Sequence, residues 1–419
     1  MNLLWHSAPS YYPTGYGVQT RNFVKRIQAL GHEVVVLMTT LTPGIVWDGI
    51  LHIPGGTEKY GIGGLLEWPK RLPLDLVITL FDVWTFPENI GTLIKELGPD
   101  WAAISPIDHD PIPPSVQKRL ESAQWPVAMS PYAEREMKRV GLNSRYVPHG
   151  VDTKIYRPVA KHKEMFDARG KFVVGMVATN VEPLDRKGFW PSFQAFGRFH
   201  KKHPDSQLYA HVIPTRSAGG LDLMEMAGQC GFKLYVPDYW QLQAGVPEEK
   251  MAEMYSTFDV LLMLTRGEGF GVPLIEAQAC GTPVIVTDFT APSDLVGAGW
   301  KIPITGKIYT PMNSYFAEPD VDAAVDALEE AYELYKTKKM EPEKARAFAK
   351  EFDFDAVTEK YMMPFLEEVE HGKETQKGDG RGGQEAGEHV SDGGVHNSQL
   401  GDKASKRSRR RRKKSKARA

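Results

Sequence analysis

Cysteine is nearly absent: Cys230 and Cys280 are the only two in 419 residues, each beside a glycine and neither in a metal-ligand spacing. A disulfide framework and a cysteine-held zinc are thereby excluded, and a reducing compartment fits. Also missing is any run approaching the roughly 18 to 20 apolar residues of a spanning helix. The opening MNLLWHSAPSYY shows no basic region followed by an apolar core. Neither a membrane span nor a signal peptide is expected, and the expected location is cytoplasmic. Net charge is almost absent too, with 51 basic against 53 acidic residues. That balance hides a division, because residues 371–419 hold 14 Lys or Arg against 6 Asp or Glu, while residues 1–370 hold 37 against 47. The body is acidic and the tail basic. What the chain has in quantity is apolar material, 42% of its residues, enough for two domains with their own cores.

The apolar segments alternate with helical patterns. Strands are predicted at 2–6, 32–38, 75–80, 101–105 and 127–130, with helices at 18–30, 88–97, 114–123 and 131–140. Alternation at this spacing predicts a parallel sheet covered on both faces. A second series follows, with strands at 172–178, 208–212, 233–236, 259–264 and 284–286 and helices at 189–200, 221–230, 247–258 and 274–280. Between the two series, VPHGVDTKIYRP at 147–158 carries prolines towards its ends and Gly150 inside, which suits a linker better than an element interior. The predicted division is a first domain 1–147, a hinge 148–158, a second domain 159–352 and a last helix 353–371. From 372 a Gly-rich polar segment leads into KRSRRRRKKSKAR at 406–418. Such a tail, 372–419, cannot offset its ordering entropy by burial and is expected to be disordered. Its basic run suits nucleic acid or an anionic membrane surface, although no aromatic is interleaved for base stacking.

The densest signal is TRGEGFGVPLIEAQACGTPVIVT at 265–287. Pro273 suits the first turn of a helix and Gly281 a left-handed end, so a short helix is predicted between a glycine-relieved loop and a strand. Gly269 and Gly271 lack a Cβ and would let a ligand approach the backbone, and the amides that open the helix suit a phosphate. Glu268 and Glu276 stand eight positions apart, one on the loop and one on the helix. Elsewhere Gly15 and Gly17 lie at the first strand-to-helix turn, where amides suit a diphosphate; Thr20 breaks the G-x-G-x-x-G of nicotinamide enzymes. Asp108, His109 and Asp110 follow a predicted strand, at the end where open α/β sheets bind ligands. Arg186 and Lys187 precede a helix start, where two cations oppose the helix dipole unless an anion is present.

The run 265–287, with GHEV at 31–34 and the 147–158 segment, resembles the family 4 retaining glycosyltransferases and their E-x7-E motif. The resemblance implies an α/β chain of GT-B fold, two doubly wound Rossmann-like domains facing across a cleft, plus the disordered tail. It implies transfer of a sugar, with retention, from a nucleotide diphosphate sugar to an unidentified acceptor, such as a glycan, lipid, protein or modified nucleic acid. No metal or other cofactor is called for, and no Asp-x-Asp of the metal-dependent class is expected at a strand end. By the same resemblance Glu268 and His109 are catalytic, contacting the donor sugar, and Glu276 holds the ribose. Gly15, Gly17, Arg186, Lys187, Phe270, Gly271 and Val272 complete the donor site. Asn180 stands near where the family carries a phosphate-gripping arginine, and Tyr239 and Trp240 lie where it passes the nucleobase. The competing reading is a nucleotide-sugar or nucleic-acid binding protein on a GT-B scaffold, acting through the basic tail.

Overall fold

Short apolar segments become strands buried on both faces, and the turns between them place polar residues along one edge. The computed structural model describes residues 1–379 apart from 41, 183, 217 and 218, with side chains described as far as 372. Residues 1–371 form one compact unit. The basic run expected to contact nucleic acid or membrane lies outside the described residues. The last helix spans Met363–Asp379.

The first sheet contains β1 (Asn2–Ser7), β2 (Glu33–Met38), β3 (Ile45–Trp47), β4 (Ile50–Ile53), β5 (Leu76–Leu80), β6 (Asp100–Ser105), β7 (Trp125–Ala128) and β8 (Arg145–Tyr146). Their order is β3-β4-β2-β1-β5-β6-β7-β8, parallel except for the β3/β4 hairpin. The second sheet, in the order β10-β9-β11-β12-β13, is parallel throughout, with β9 (Phe172–Val177), β10 (Ser206–His211), β11 (Val260–Met263), β12 (Val284–Thr287) and β13 (Gly299–Ile302). Strand order reverses between β1 and β5 in the first sheet and between β9 and β11 in the second. Loops leaving the strands on either side of such a reversal diverge and leave a crevice. A separate hairpin, β14 (Ile304–Tyr309) and β15 (Tyr315–Pro319), follows the second sheet. The strand predicted at 233–236 is only a single bridge, Tyr235 to Tyr209, because two neighbouring glycine and proline turns leave too short a segment to pair.

The two halves share buried apolar contacts. One cluster runs from Trp5, Phe23 and Ile78 through Val151 and Tyr156 to Tyr255, Phe258 and Ile275. At the predicted hinge the Gln19 side chain donates to the Gly150 carbonyl at 2.8 Å and accepts from its N–H at 3.0 Å. Val151 then bonds Phe352 and Phe354 through the backbone, at 2.8 and 3.1 Å. A Cβ on Gly150 would strike the Phe354 ring, so only glycine lets these two strands of chain cross. Beyond them, Phe354, Tyr361 and Phe365 pack their rings against Phe23, Tyr146 and Trp125 of the first half, and Glu368 pairs with Arg145.

Candidate active site

The loops after β9 and β11 flank the reversal in the second sheet, and they carry Lys187 and Glu268. The Lys187 ammonium donates to Glu268 Oε1 at 2.6 Å. Arg186 lies beside them, with one guanidinium nitrogen 3.4 Å from Glu268 Oε2 and 3.7 Å from Asp108 Oδ2, and with a fork onto Glu182 at 2.7 and 3.0 Å. Burial works against the Arg186 charge, but Glu268, Asp108 and Glu182 outweigh it and hold its pKa well above the usual value. Glu268 is itself buried, and its N–H donates to Thr290 Oγ1 at 3.0 Å. Three side chains from two loops are thus fixed at one end of the sheet by each other.

The anion expected at the start of the helix Phe189–Lys202 turns out to belong to the protein. Asp185 accepts from the Phe189 and Trp190 amides at 2.8 and 2.9 Å, so its carboxylate answers the helix dipole and leaves Arg186 and Lys187 free to serve the crevice. Asn180 does not face that crevice either. Its amide donates to the carbonyls of Ile213, Thr215 and Leu221 at 3.2, 3.1 and 2.7 Å, tying the loop down.

From the first half, the loop after β6 brings His109 opposite. Its Nδ1 lies 2.6 Å from Asp108 Oδ1 and its ring stacks on Phe316 with centroids 4.2 Å apart. Burial opposes ionisation of Asp108, yet the His109 hydrogen bond and the Arg186 charge hold its carboxyl below the usual range. That carboxylate can only accept, so Nδ1 donates to it. Nε2 is buried without a hydrogen-bond partner among the described residues. Buried polar atoms are rarely left so, and a ligand group is the ordinary remedy. Contrary to expectation, Asp108 and Asp110 do form an Asp-x-Asp three residues past β6. Their carboxylates are turned apart, Asp108 onto His109 and Arg186, Asp110 onto Lys307 at 2.6 Å.

The glycines of the 265–287 loop serve a different purpose from the one predicted for Gly269. A Cβ on Gly269 would collide with Pro106, and one on Gly267 with the Asp108 carbonyl. The space they leave admits the first-half loop. Gly269→Ala should therefore push these loops apart and destabilise the fold by about 1–3 kcal/mol, the scale of overpacking. A lowered melting temperature would check it; a wild-type melting temperature would refute it. Gly271, at φ 104°, opens the helix Val272–Ala279, which has no side-chain cap. Phe270 is buried edge-on against His149 and Phe352, 5.1 and 5.8 Å between centroids. Burial pushes the His149 pKa down to about 3, so this wall of the crevice carries no charge.

One turn into that helix, Glu276 accepts from the Tyr255 hydroxyl at 2.7 Å. Burial pushes its pKa up to about 7, against the pull of bonds from Tyr255 and Tyr156. Nearby Glu248 pairs with Arg21, a contact between the halves. Gly15 begins the helix Gly15–Ala29, and the Gly17 N–H is used by the Thr14 hydroxyl at 3.2 Å. A Cβ on Gly17 would strike the carbonyls of Tyr12 and Pro9, so its role in the fold is to let that loop close over the helix. Tyr239 and Trp240 lie on a short helix and are 50% and 74% exposed, so neither is a packed wall in this structure.

Two cleft residues escaped the sequence-based search. Asp82 follows β5 by two residues, and Tyr16 stands between Gly15 and Gly17, its hydroxyl 3.4 Å from Asp82 Oδ2. The rule that drew attention to Asp108, polar residues just past a strand end, applies equally to Asp82.

Two doubly wound sheets joined by a buried crossing, with their reversals turned to one crevice, are the GT-B architecture of glycosyltransferases. Residues 233–348 match the family Glycosyl transferases group 1. Among solved structures the chain is similar to sucrose-phosphate synthase from Thermosynechococcus elongatus, with a TM-score of 0.70 at 16% identity over 89% of this chain and 100% of that one. It is similar also to Anabaena HepE in complex with UDP-glucose, with a TM-score of 0.64 at 12% identity, covering 88% and 100% of the two chains. Among curated proteins it resembles the D-inositol 3-phosphate glycosyltransferases of Geodermatophilus obscurus, 30% identical over 144 residues, and of Segniliparus rotundus, 31% identical over 145. Each alignment covers 33% of this chain, and the chain spans about a third of those relatives, 31% and 30% of their lengths.

Proposed function

We propose that the protein transfers a sugar from a nucleotide diphosphate sugar to a hydroxyl acceptor, with retention at the anomeric carbon and without a metal ion. The observation that carries this reading is the Lys187–Glu268 contact at the second-sheet reversal, facing the unpartnered His109 Nε2 of the first half. Breaking the anomeric C–O bond leaves the electron pair on the diphosphate and positive charge on the sugar ring. Lys187 and Arg186 would neutralise the first; without donor, Lys187 pairs with Glu268 and Arg186 with Glu182, Glu268 and Asp108. A bound diphosphate would replace Glu268 on these cations and release its oxygens to the sugar hydroxyls. His109 Nε2 would accept from another sugar hydroxyl, and Glu276 would accept from the ribose. The Phe270, Gly271 and Val272 amides would face the diphosphate at the uncapped helix start.

Metal independence is supported by the engagement of Asp108 with Arg186 and of Asp110 with Lys307. The experiment is a thermal-shift panel of UDP, GDP, ADP and TDP sugars, followed by transfer assays with and without chelator. One donor at 100 times its dissociation constant should stabilise by about 2.7 kcal/mol, and transfer should survive chelation with the anomeric configuration kept. Loss of transfer with chelator and rescue by Mn²⁺ would overturn the metal-free reading; an inverted product would overturn retention.

A further inference from the structure

The first-half side of the crevice is acidic and aromatic. Asp82 and Asp108 leave the ends of β5 and β6. Tyr16 reaches Asp82 Oδ2 at 3.4 Å, and Trp84, two residues further along the same loop, is 46% exposed and offers its indole to a ligand. The Tyr16 ring continues to Phe81, centroids 6.0 Å apart. The cations within reach, Arg186 and Lys187, both come from the second half and already face Glu182, Asp108 and Glu268. Three carboxylates thus surround two cations before any donor diphosphate arrives, and Asp82 stands beside them. A second anionic ligand would meet net negative charge there, whereas hydroxyl groups would find acceptors and apolar sugar faces would find rings.

Resting on the reading above, we infer that Asp82, with Tyr16 and Trp84, forms the acceptor subsite, and that the acceptor is an uncharged polyhydroxylated residue, a glycoside or cyclitol without phosphate. Asp82 accepts from acceptor hydroxyls while the exposed indole of Trp84 covers the ring. Burial, and next the neighbouring Asp108, push the Asp82 carboxyl up to about 6, so its negative charge is held weakly and hydroxyl donors stabilise it. This placement also sets the chain apart in acceptor chemistry from the inositol 3-phosphate named for its relatives. On the first half Lys59 lies over the Tyr60 ring at 4.7 Å, with Tyr60 in turn against Phe81, a cation that a phosphorylated acceptor would draw on.

The test uses the full chain with whichever nucleotide sugar stabilises it. The probes are methyl α-glucoside, methyl α-mannoside and myo-inositol, each beside a phosphorylated counterpart: glucose 6-phosphate, mannose 6-phosphate and inositol 3-phosphate. The unphosphorylated probes should be glycosylated at least tenfold faster. Asp82→Asn should raise KM for the favoured acceptor tenfold or more while the donor dissociation constant moves less than twofold, and Lys59→Ala should leave acceptor KM alone. Preference for the phosphorylated probes, or a loss in Lys59→Ala in place of Asp82→Asn, overturns the inference while leaving the transferase reading intact. So does donor hydrolysis with no glycosylation of any neutral probe. If no nucleotide sugar binds at all, the transferase reading fails, and this inference fails with it.

Discussion

Lys187→Ala should lower kcat/KM for sugar transfer by two to three orders of magnitude, roughly the effect of removing one preorganised donor from a developing negative charge. The lysine is held 2.6 Å from Glu268, so little reorganisation is needed when a diphosphate arrives. The same substitution affects folding, since Glu268 is buried and loses one of two cations. Arg186 remains 3.4 Å away, and the loss should therefore stay below the roughly 3–5 kcal/mol of a fully broken buried pair. Catalytic and structural effects can be separated with Lys187→Ala/Glu268→Ala, which removes both charges. Its melting temperature should recover towards wild type while transfer stays abolished. Near wild-type transfer by Lys187→Ala, with a matched donor and acceptor, would show that the diphosphate is held elsewhere.

Much of this arrangement was legible before any coordinates, for a physical reason. Parallel strands buried on both faces must be apolar along their whole length, so β1, β5, β6 and β9 stand out as runs, and the residues just past them fall on one edge by topology alone. Glu268 and His109 were within reach of that rule, whereas Lys187 stands out by its place before a helix start. The two hairpins were not, because β3 and β14 expose much of their length and carry no clear apolar pattern. Partner choice was also hidden. Nothing local distinguishes Asp185, which caps a helix, from Glu182, which grips Arg186. Nor does the sequence tell that Gly269 makes room for Pro106, since a glycine next to a ligand and a glycine next to another loop look alike in one dimension. Asn180, which stands near where the family carries an arginine, spends its four hydrogen bonds within its own half.

Glu276→Gln should make the protein without donor more stable at pH 8 and at the same time weaken its hold on donor. The carboxyl titrates near 7 in the fold against an ordinary 4.5 because burial penalises its charge. A raised folded-state pKa favours the protonated form, so the contribution is fully present below about 4.5 and is lost as pH rises to about 7. Above that, the wild type carries a cost of about 3 kcal/mol, from the 1.36 kcal/mol of each pKa unit. Glutamine does not titrate, and its carbonyl can still accept from Tyr255. The stability difference between variant and wild type should therefore be near zero at pH 4.5 and grow to about 3 kcal/mol by pH 8, read from denaturant midpoints at each pH. His6, whose pKa burial depresses to about 4, and Glu248, which burial raises, also make stability depend on pH. Both remain in each protein, so the difference isolates position 276 apart from its coupling to Glu248. Donor affinity should move the opposite way: replacing a charged acceptor of ribose hydroxyls by a neutral one removes about 1 kcal/mol, several-fold in Kd at pH 8 and less at pH 5.5. A pH-independent stability difference would mean that Glu276 is not held near neutrality by burial. A stabilised variant with wild-type donor affinity would mean that the buried carboxylate serves something other than the ribose.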